Sequence, residues 1–335
     1  RSLRSNDELS KFFNHDFPKT KYSISIPFFI ANKIRKTGLD SKFAIQFLPN
    51  EGENSTLGLI DPIGDHAQSP VKQIVHRYKN RVLFFPTQVC PIICRYCFRK
   101  NELGVGDDLF RAEFEKSFNY LENHPEIEEI IFSGGDPLVL SNEKLSYYLE
   151  RFSKLKSIKY IRFHTRVPTT LPSRIDEGLI SLLKKFSSIF KKIIIVVHAN
   201  HSEEFCKVVA SKLTKLSALN ISLLSQSVLL KGVNDSTEEL KSLIETLVEN
   251  NITPYYLHHP DRVKGAMHFY LTIEEGRKIY SGLRDSISGW ALPTYVIDIP
   301  EGEGKVNAFN PETYSYSGQL INKKGKKIPH QDFLE

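Results

Sequence analysis

Arg81-Val-Leu-Phe-Phe-Pro-Thr-Gln-Val-Cys90-Pro-Ile-Ile-Cys94-Arg-Tyr-Cys97-Phe-Arg99 runs from an apolar stretch straight into a loop holding three of the chain's four cysteines. Its first seven residues read as a buried strand. The C-x3-C-x2-C spacing puts three soft ligands on one short loop. It leaves the fourth position of a tetrahedral metal, or the fourth iron of a cubane cluster, without a protein ligand. An open position allows chemistry there. A structural zinc ion is normally closed by four ligands, and His76 is the nearest upstream candidate for the fourth. A disulfide framework fits poorly, because the loop carries an odd number of cysteines. The ligand chemistry favours an iron–sulfur cluster and keeps zinc as the alternative.

Outward from this loop a regular alternation appears. Short β-branched or aromatic runs at residues 81–87, 128–133, 160–165, 193–198, 221–224 and 253–258 read as buried strands. Amphipathic helical patterns lie between them at about 109–123, 143–154, 174–186, 203–216 and 237–250, with another near 273–283. Six βα units in succession predict a parallel α/β sheet with helices outside, closed as a partial (β/α)6 TIM-like barrel. Such barrels place their chemistry at the C-terminal ends of the strands. The chain puts unusual residues there: the cysteine loop, Gly134-Gly135-Asp136-Pro137, His164 and Arg166, His198 and Asn200, Gln226, and residues 258–261.

Flanking segments are less regular. Residues 1–75 read as an N-terminal helical accessory segment, with a capping box at Ser5-Asn-Asp-Glu8 and a second helix over 27–36 ended by Gly38. The barrel is expected over 76–283. Residues 284–335 form a C-terminal segment with a seventh apolar run at 294–297, then Asp298 and the glycine-rich Glu301-Gly-Glu-Gly-Lys305, a turn that presents Lys305 freely.

The 335 residues are 40% hydrophobic and 25% charged, ordinary for a globular protein. The net charge of +6 is spread without a basic tail, so no nucleic-acid partner is expected. Apolar stretches fall far short of the roughly 20 residues that a membrane span needs. Cysteines committed to a metal suit a reducing cytoplasm.

The cysteine loop matches the radical S-adenosylmethionine (radical SAM) signature, and the chain from about residue 61 to Lys305 resembles the lysine 2,3-aminomutases. The resemblance is carried by His76-Arg-Tyr-x-x-Arg81, the cysteine loop through Arg99, Phe132-Ser-Gly-Gly-Asp-Pro137, Thr165-Arg-x-Pro168 and Leu171-Pro-x-Arg174. It continues through Gln226-Ser-Val-Leu-Leu-x-Gly-Val-Asn-Asp235, Pro254-Tyr-Tyr256, Gly265-x-x-His-Phe269 and Asp298-Ile-Pro-Glu-Gly-Glu-Gly-Lys305.

It implies a radical SAM barrel in which Cys90, Cys94 and Cys97 hold a [4Fe–4S] cluster and the C-terminal segment binds pyridoxal 5'-phosphate (PLP). Gly134, Gly135 and Asp136 would contact the methionyl end of SAM, and His198 and Asn200 its nucleoside. Lys305 would be the catalytic lysine that tethers PLP, with Arg77, Arg81, Arg166 and Gln226 around the phosphate. Arg99 would clamp the substrate carboxylate, and Asp261 and Asp298 would receive the ε-ammonium of lysine. The implied reaction is the isomerisation of L-lysine to β-lysine, fed by an external one-electron reductant in a cytoplasmic homo-oligomer.

Two features modulate this. Longer family members bind zinc through cysteines that this chain replaces with Ser236 and a cysteine-free tail. Shorter relatives act on a lysine of translation elongation factor P and share the chain's length and Tyr255-Tyr-Leu-His258. The acid pair leans towards free lysine. Action on elongation factor P, a different amino acid substrate, and a non-catalytic zinc- or cluster-binding module stay open as alternatives.

Overall fold

The computed structural model describes residues 1–103, 112–309, 319–321 and 327–329. Strand β1 (Ser2–Leu3) pairs antiparallel with β2 (Ile26–Pro27). Between them lies helix α1 (Asn6–Phe13), whose N-cap Ser5 side chain accepts the Glu8 backbone N–H, as its capping pattern predicts. Helix α2 (Phe28–Thr37) ends at Gly38, whose φ of 97° suits glycine alone. Leu9, Ile30, Ile34, Phe43 and Phe47 bury one another in a cluster of their own, into which Ile92 of the cysteine loop inserts.

The central sheet has nine strands, each lying beside the next one in the chain. It opens with β3 (Ile74–Tyr78), antiparallel to β4 (Arg81–Thr87). From β4 the strands run parallel: β5 (Glu129–Gly134), β6 (Tyr160–Thr165), β7 (Lys192–His198), β8 (Ile221–Val228), β9 (Thr253–His258) and β10 (Thr294–Ile299). Strand β11 (Gly304–Asn307) turns back antiparallel on β10 and forms the other edge.

Helices α3 (Ala112–Glu122), α4 (Asn142–Phe152), the short α5 (Val167–Thr170), α6 (Glu177–Ser187), α7 (Lys207–Ser217), α8 (Thr237–Glu249) and α9 (Ile273–Ser286) occupy the crossovers. The remote strands β12 (Gln319–Ile321) and β13 (Lys327–Pro329) pair with each other. The expected start of the third helix at 109–111 and much of the tail beyond 309 lie outside the described residues.

The fold is the expected partial barrel of the radical SAM type, with one parallel strand more than the six counted in the sequence and an antiparallel strand at each edge. Strand β10 was legible only as an apolar run. Strand β3 was not, because three of its five residues are polar or half-buried. Lys305 is corrected from a free turn to a strand position: it lies in β11 directly opposite Asp298 of β10. Likewise Gln226 lies within β8, which runs on to Val228, rather than after its strand.

Strand alternation explains why the chemistry converges. Along β4, β5 and β6, Val82, Phe84, Ile130, Phe132, Ile161 and Phe163 are buried beneath the helices. Their alternate neighbours Leu83, Ile131, Ser133, Arg162 and His164 face a central cavity. Phe84 is the hub of the outer layer, with the rings of Phe114, Phe132, Tyr148 and Phe152 at centroid distances of 5.1–5.8 Å. Burying such rings is the main stabilising term of this layer.

Candidate active site

The cavity has a volume of about 590 Å³, and its wall includes Cys90, Cys94 and Cys97 together with Lys305, Asp261 and Asp298. Residues from opposite ends of the chain therefore face one space. Arg77, Arg81, Arg99, Arg166, Gln226, His198, Gly134, Gly135 and Asp136 also line it, whereas Asn200 does not.

At the cysteine end, burial pushes the Cys97 thiol up to about 11, and Cys90 is raised as well. Cys94 Sγ accepts a hydrogen bond from Arg166 Nη1 at 2.8 Å. Arg166 is buried and its other bonds go to the Tyr96 hydroxyl (2.5 Å), Gln46 Oε1 (2.6 Å) and Glu204 Oε1 (2.8 Å). The guanidinium that the sequence placed at a phosphate thus stands against a cysteine sulfur. Burial keeps His198 neutral, and its Nε2 lies 2.7 Å from the Tyr96 hydroxyl. The Tyr96 hydroxyl thus joins Arg166 to His198.

The residues after β5 secure the loop. Gly135 N–H donates to Thr87 O and Asp136 N–H to Val89 O, at 2.8 and 2.9 Å. A Cβ on Gly135 would lie 2.4 Å from Val89 O, so glycine is required for the loop to pack. The buried Asp136 carboxylate accepts from Thr165 Oγ1 and the N–H groups of Arg166, Val167 and Leu138. Asn200 Oδ1 accepts the Val228 N–H at 2.9 Å and ties β8 to the β7 loop.

His76 does not line the cavity that the cysteines face, and its Nδ1 bonds the Tyr120 hydroxyl at 2.8 Å. Ser236 caps α8. Among the described residues no three His, Cys, Asp or Glu side chains form a ready site for a lone metal ion. Three thiols on one loop facing an open cavity do suit a cluster, which takes each thiolate at a different iron corner and keeps one iron open.

At the other end, Lys305 Nζ lies 2.8 Å from Asp298 Oδ1, while Arg77 Nη1 and His258 Nδ1 stand 3.7 and 3.6 Å from the same carboxylate. Burial alone would raise Asp298. The His258 imidazole and the Lys305 ammonium instead pull it down to about 2. Asp261 goes the other way: burial and then the Asp298 charge push it up to about 7.

The two carboxylates therefore differ: Asp298 has a cation, and Asp261 has none of its own among the described residues. Arg77 and Arg99 converge on Asp65, whose Oδ1 and Oδ2 accept at 3.0 and 2.5 Å. Among the described residues, Arg77 Nε is buried without a partner, and so is His164 Nε2 on the cavity wall. An unpaired guanidinium N–H and an unpaired imidazole nitrogen in a cavity also lined by Lys305 and Arg81 fit an anionic aldehyde cofactor such as PLP.

Several participants were not read from the sequence. Asp65 looked like an ordinary turn acid. Tyr78, whose hydroxyl accepts the Lys305 N–H at 2.9 Å, stood only as a motif letter. Arg162 faces the cavity while its guanidinium forks onto Glu129. The alternation of Arg162 and His164 along β6 was the signal that could have found it.

The Radical SAM superfamily model matches residues 84–252. The chain is 39% identical over 247 residues to a protein named L-lysine 2,3-aminomutase from Methanococcus maripaludis, covering 73% of this chain and 56% of that one. It is 34% identical to the Haemophilus influenzae protein of that name, over 83% of this chain and 82% of that one. For the Buchnera aphidicola protein of that name the identity is 32%, over 91% and 88%. The chain thus spans little more than half of the longer relative and most of the shorter two. Cysteine loop, barrel and relatives agree: the chain belongs to the radical SAM superfamily and, within it, to the lysine 2,3-aminomutase family.

Proposed function

We propose that the chain is an L-lysine 2,3-aminomutase, an isomerase that moves the amino group of lysine from C2 to C3 to give β-lysine. The observation that carries this reading is the sharing of one cavity by the three cysteines, Lys305 and the Asp261/Asp298 pair. When bound, the cluster with SAM supplies a carbon-centred radical and PLP supplies the electron sink for the migrating nitrogen.

The chain's residues bind and place the reactants. Lys305 is the nucleophilic amine that holds PLP, and Asp298 provides its counter-charge while the amine is free. Arg77 and Arg81 supply guanidinium forks for a phosphate. Arg166 serves the cysteine end from where it stands, and Gln226 faces the cavity between the two ends. Arg99 is poised between Asp65 and the cavity, ready to exchange a carboxylate partner for the substrate's. A substrate ε-ammonium would give Asp261 the cation it lacks, and this is why lysine is the preferred substrate.

The test is product analysis with lysine, arginine and glutamate, after reconstitution with iron, sulfide, SAM, PLP and a one-electron reductant. Formation of β-lysine is expected. No product from free lysine, with conversion of the acceptor lysine of elongation factor P, would assign the shorter relatives' substrate. One zinc and no iron per chain would replace the enzyme reading with a metal-binding module. Lys305→Ala should abolish borohydride-trapped PLP, and full PLP retention in that variant would refute the tether.

A further inference from the structure

The segment before the barrel contributes a buried carboxylate to the cysteine loop. Arg95, between Cys94 and Cys97, is 1% exposed, and its guanidinium forks onto Glu53, with Nε 2.8 Å from Oε1 and Nη2 against Oε2. Nη1 reaches Ser23 O at 2.9 Å. Lys100, three residues past Cys97, has a fully buried ammonium. It bonds Arg95 O at 2.8 Å and Gly265 O at 2.7 Å, and stands 3.4 Å from Glu53 Oε2.

Backbone bonds repeat the connection: Ile93 N–H to Ser25 O and Arg95 N–H to Gln46 O, at 3.0 and 2.9 Å. The Tyr22 hydroxyl donates to Lys264 O at 3.0 Å, and its ring lies 4.0 Å from Lys100 Nζ. A Cβ on Gly265 would lie 2.2 Å from the Tyr22 oxygen. Three segments meet here: residues 20–53, the cysteine loop, and the loop that begins at Asp261.

Charge gives the arrangement direction. One buried carboxylate faces two buried cations, so the group carries an excess positive charge, and the Lys100 backbone N–H donates to Cys97 O at 3.1 Å. Uncompensated buried charge is costly, and a cluster held by three thiolates would supply the missing negative charge.

We propose that Glu53, acting through Arg95 and Lys100, is a positioning residue for the iron–sulfur centre, and that Lys100 ties this loop to the Gly265 carbonyl beyond Asp261. Residues 20–53 are then part of the radical-generating machinery. The proposal rests on the cluster reading of Cys90, Cys94 and Cys97 and is independent of the substrate.

The test compares the native chain with Lys100→Met, Glu53→Gln and the double variant. Each is reconstituted with iron and sulfide, assayed for both, and challenged with a chelator, while the apo forms are followed by thermal melting. Native uptake of about four irons per chain is the control for the cluster reading, and its failure tells against that reading alone. Lys100→Met keeps the Glu53–Arg95 pair and is expected to fold as apoprotein but to release iron on the order of tenfold faster. Glu53→Gln is expected to load poorly, and removal of the second cation in the double variant to restore part of the loading. Native-like iron retention in Lys100→Met overturns the proposal, whether or not Glu53→Gln folds. So does a Lys100→Met apoprotein that no longer folds, because the group would then serve the fold rather than the cluster.

Discussion

The Tyr78 hydroxyl accepts the Lys305 backbone N–H at 2.9 Å, and this bond joins the two edge strands of the central sheet, β3 and β11. A barrel with a gap between its edges is bridged where the candidate cofactor lysine sits. Gly304 allows the approach with a φ of 94°, and a Cβ there would lie 2.9 Å from the Tyr78 oxygen. Tyr78→Phe should cost about 1 kcal/mol of stability, the typical net value of one hydrogen bond. It should also weaken PLP retention on dialysis, read by cofactor absorbance. Retention equal to the native chain's would show that Lys305 needs no support from β3. Gly304→Ala combines an unfavourable φ with a close contact and should be worse in both assays.

Asp261 gives the ligand-free protein a characteristic pH dependence. Its folded carboxyl holds a proton up to about 7, whereas the unfolded one releases it near 3.8. The folded state therefore binds more protons between those values, and stability from this group is lost as pH rises from about 4 to about 7. His164, His198 and His258, lowered by burial, act with the opposite sign below their ordinary value of 6.5. The difference between native and Asp261→Asn urea-unfolding curves across pH 4–7 isolates the carboxylate. Parallel curves would remove Asp261 from the account.

On the proposed lysine reading, the same two acids would set discrimination. A lysine analogue with a methyl in place of the ε-ammonium leaves Asp261 and Asp298 without the substrate cation. It should react less well by as much as ~10⁴ in kcat/KM, the range seen where buried polar groups lose a partner. Asp298→Asn should shrink that ratio, mainly by slowing lysine. An unchanged ratio would place ammonium recognition elsewhere.

Arg166 links the barrel to the cysteine loop. Arg166→Met leaves the buried Glu204 carboxylate without its guanidinium partner and should cost roughly 3–5 kcal/mol, measured by denaturant unfolding. In a reconstituted protein, loss of the N–H donor to Cys94 Sγ should also lower the cluster midpoint potential in an EPR-monitored titration. A stability loss with no change in potential would confine Arg166 to a packing role.

The strand boundaries 81–87, 160–165 and 253–258 were readable to the residue, because a short β-branched or aromatic run bounded by turn residues is a local signal. The cysteine loop and the glycines after β5 were legible for the same reason. Arg166 and Asn200 were placed by motif and point to partners no motif encodes, namely Cys94 in one case and Val228 in the other. Asp65 was invisible because a turn acid and a shared counter-ion for Arg77 and Arg99 have the same local sequence.

By itself, then, the sequence determined the βα alternation, the three thiolates on one loop and the lysine with its two acids. The first two depend on spacing over a few residues, whereas the lysine and its acids were implied by the resemblance to the family. Only the tertiary structure decided which of them meet. The Tyr78–Lys305 bond spans 227 positions and the Glu53–Arg95 contact 42. Such pairs follow from the order in which strands add and from the loops packed over their ends. That geometry is set by burial of the whole apolar layer, and no single segment encodes it.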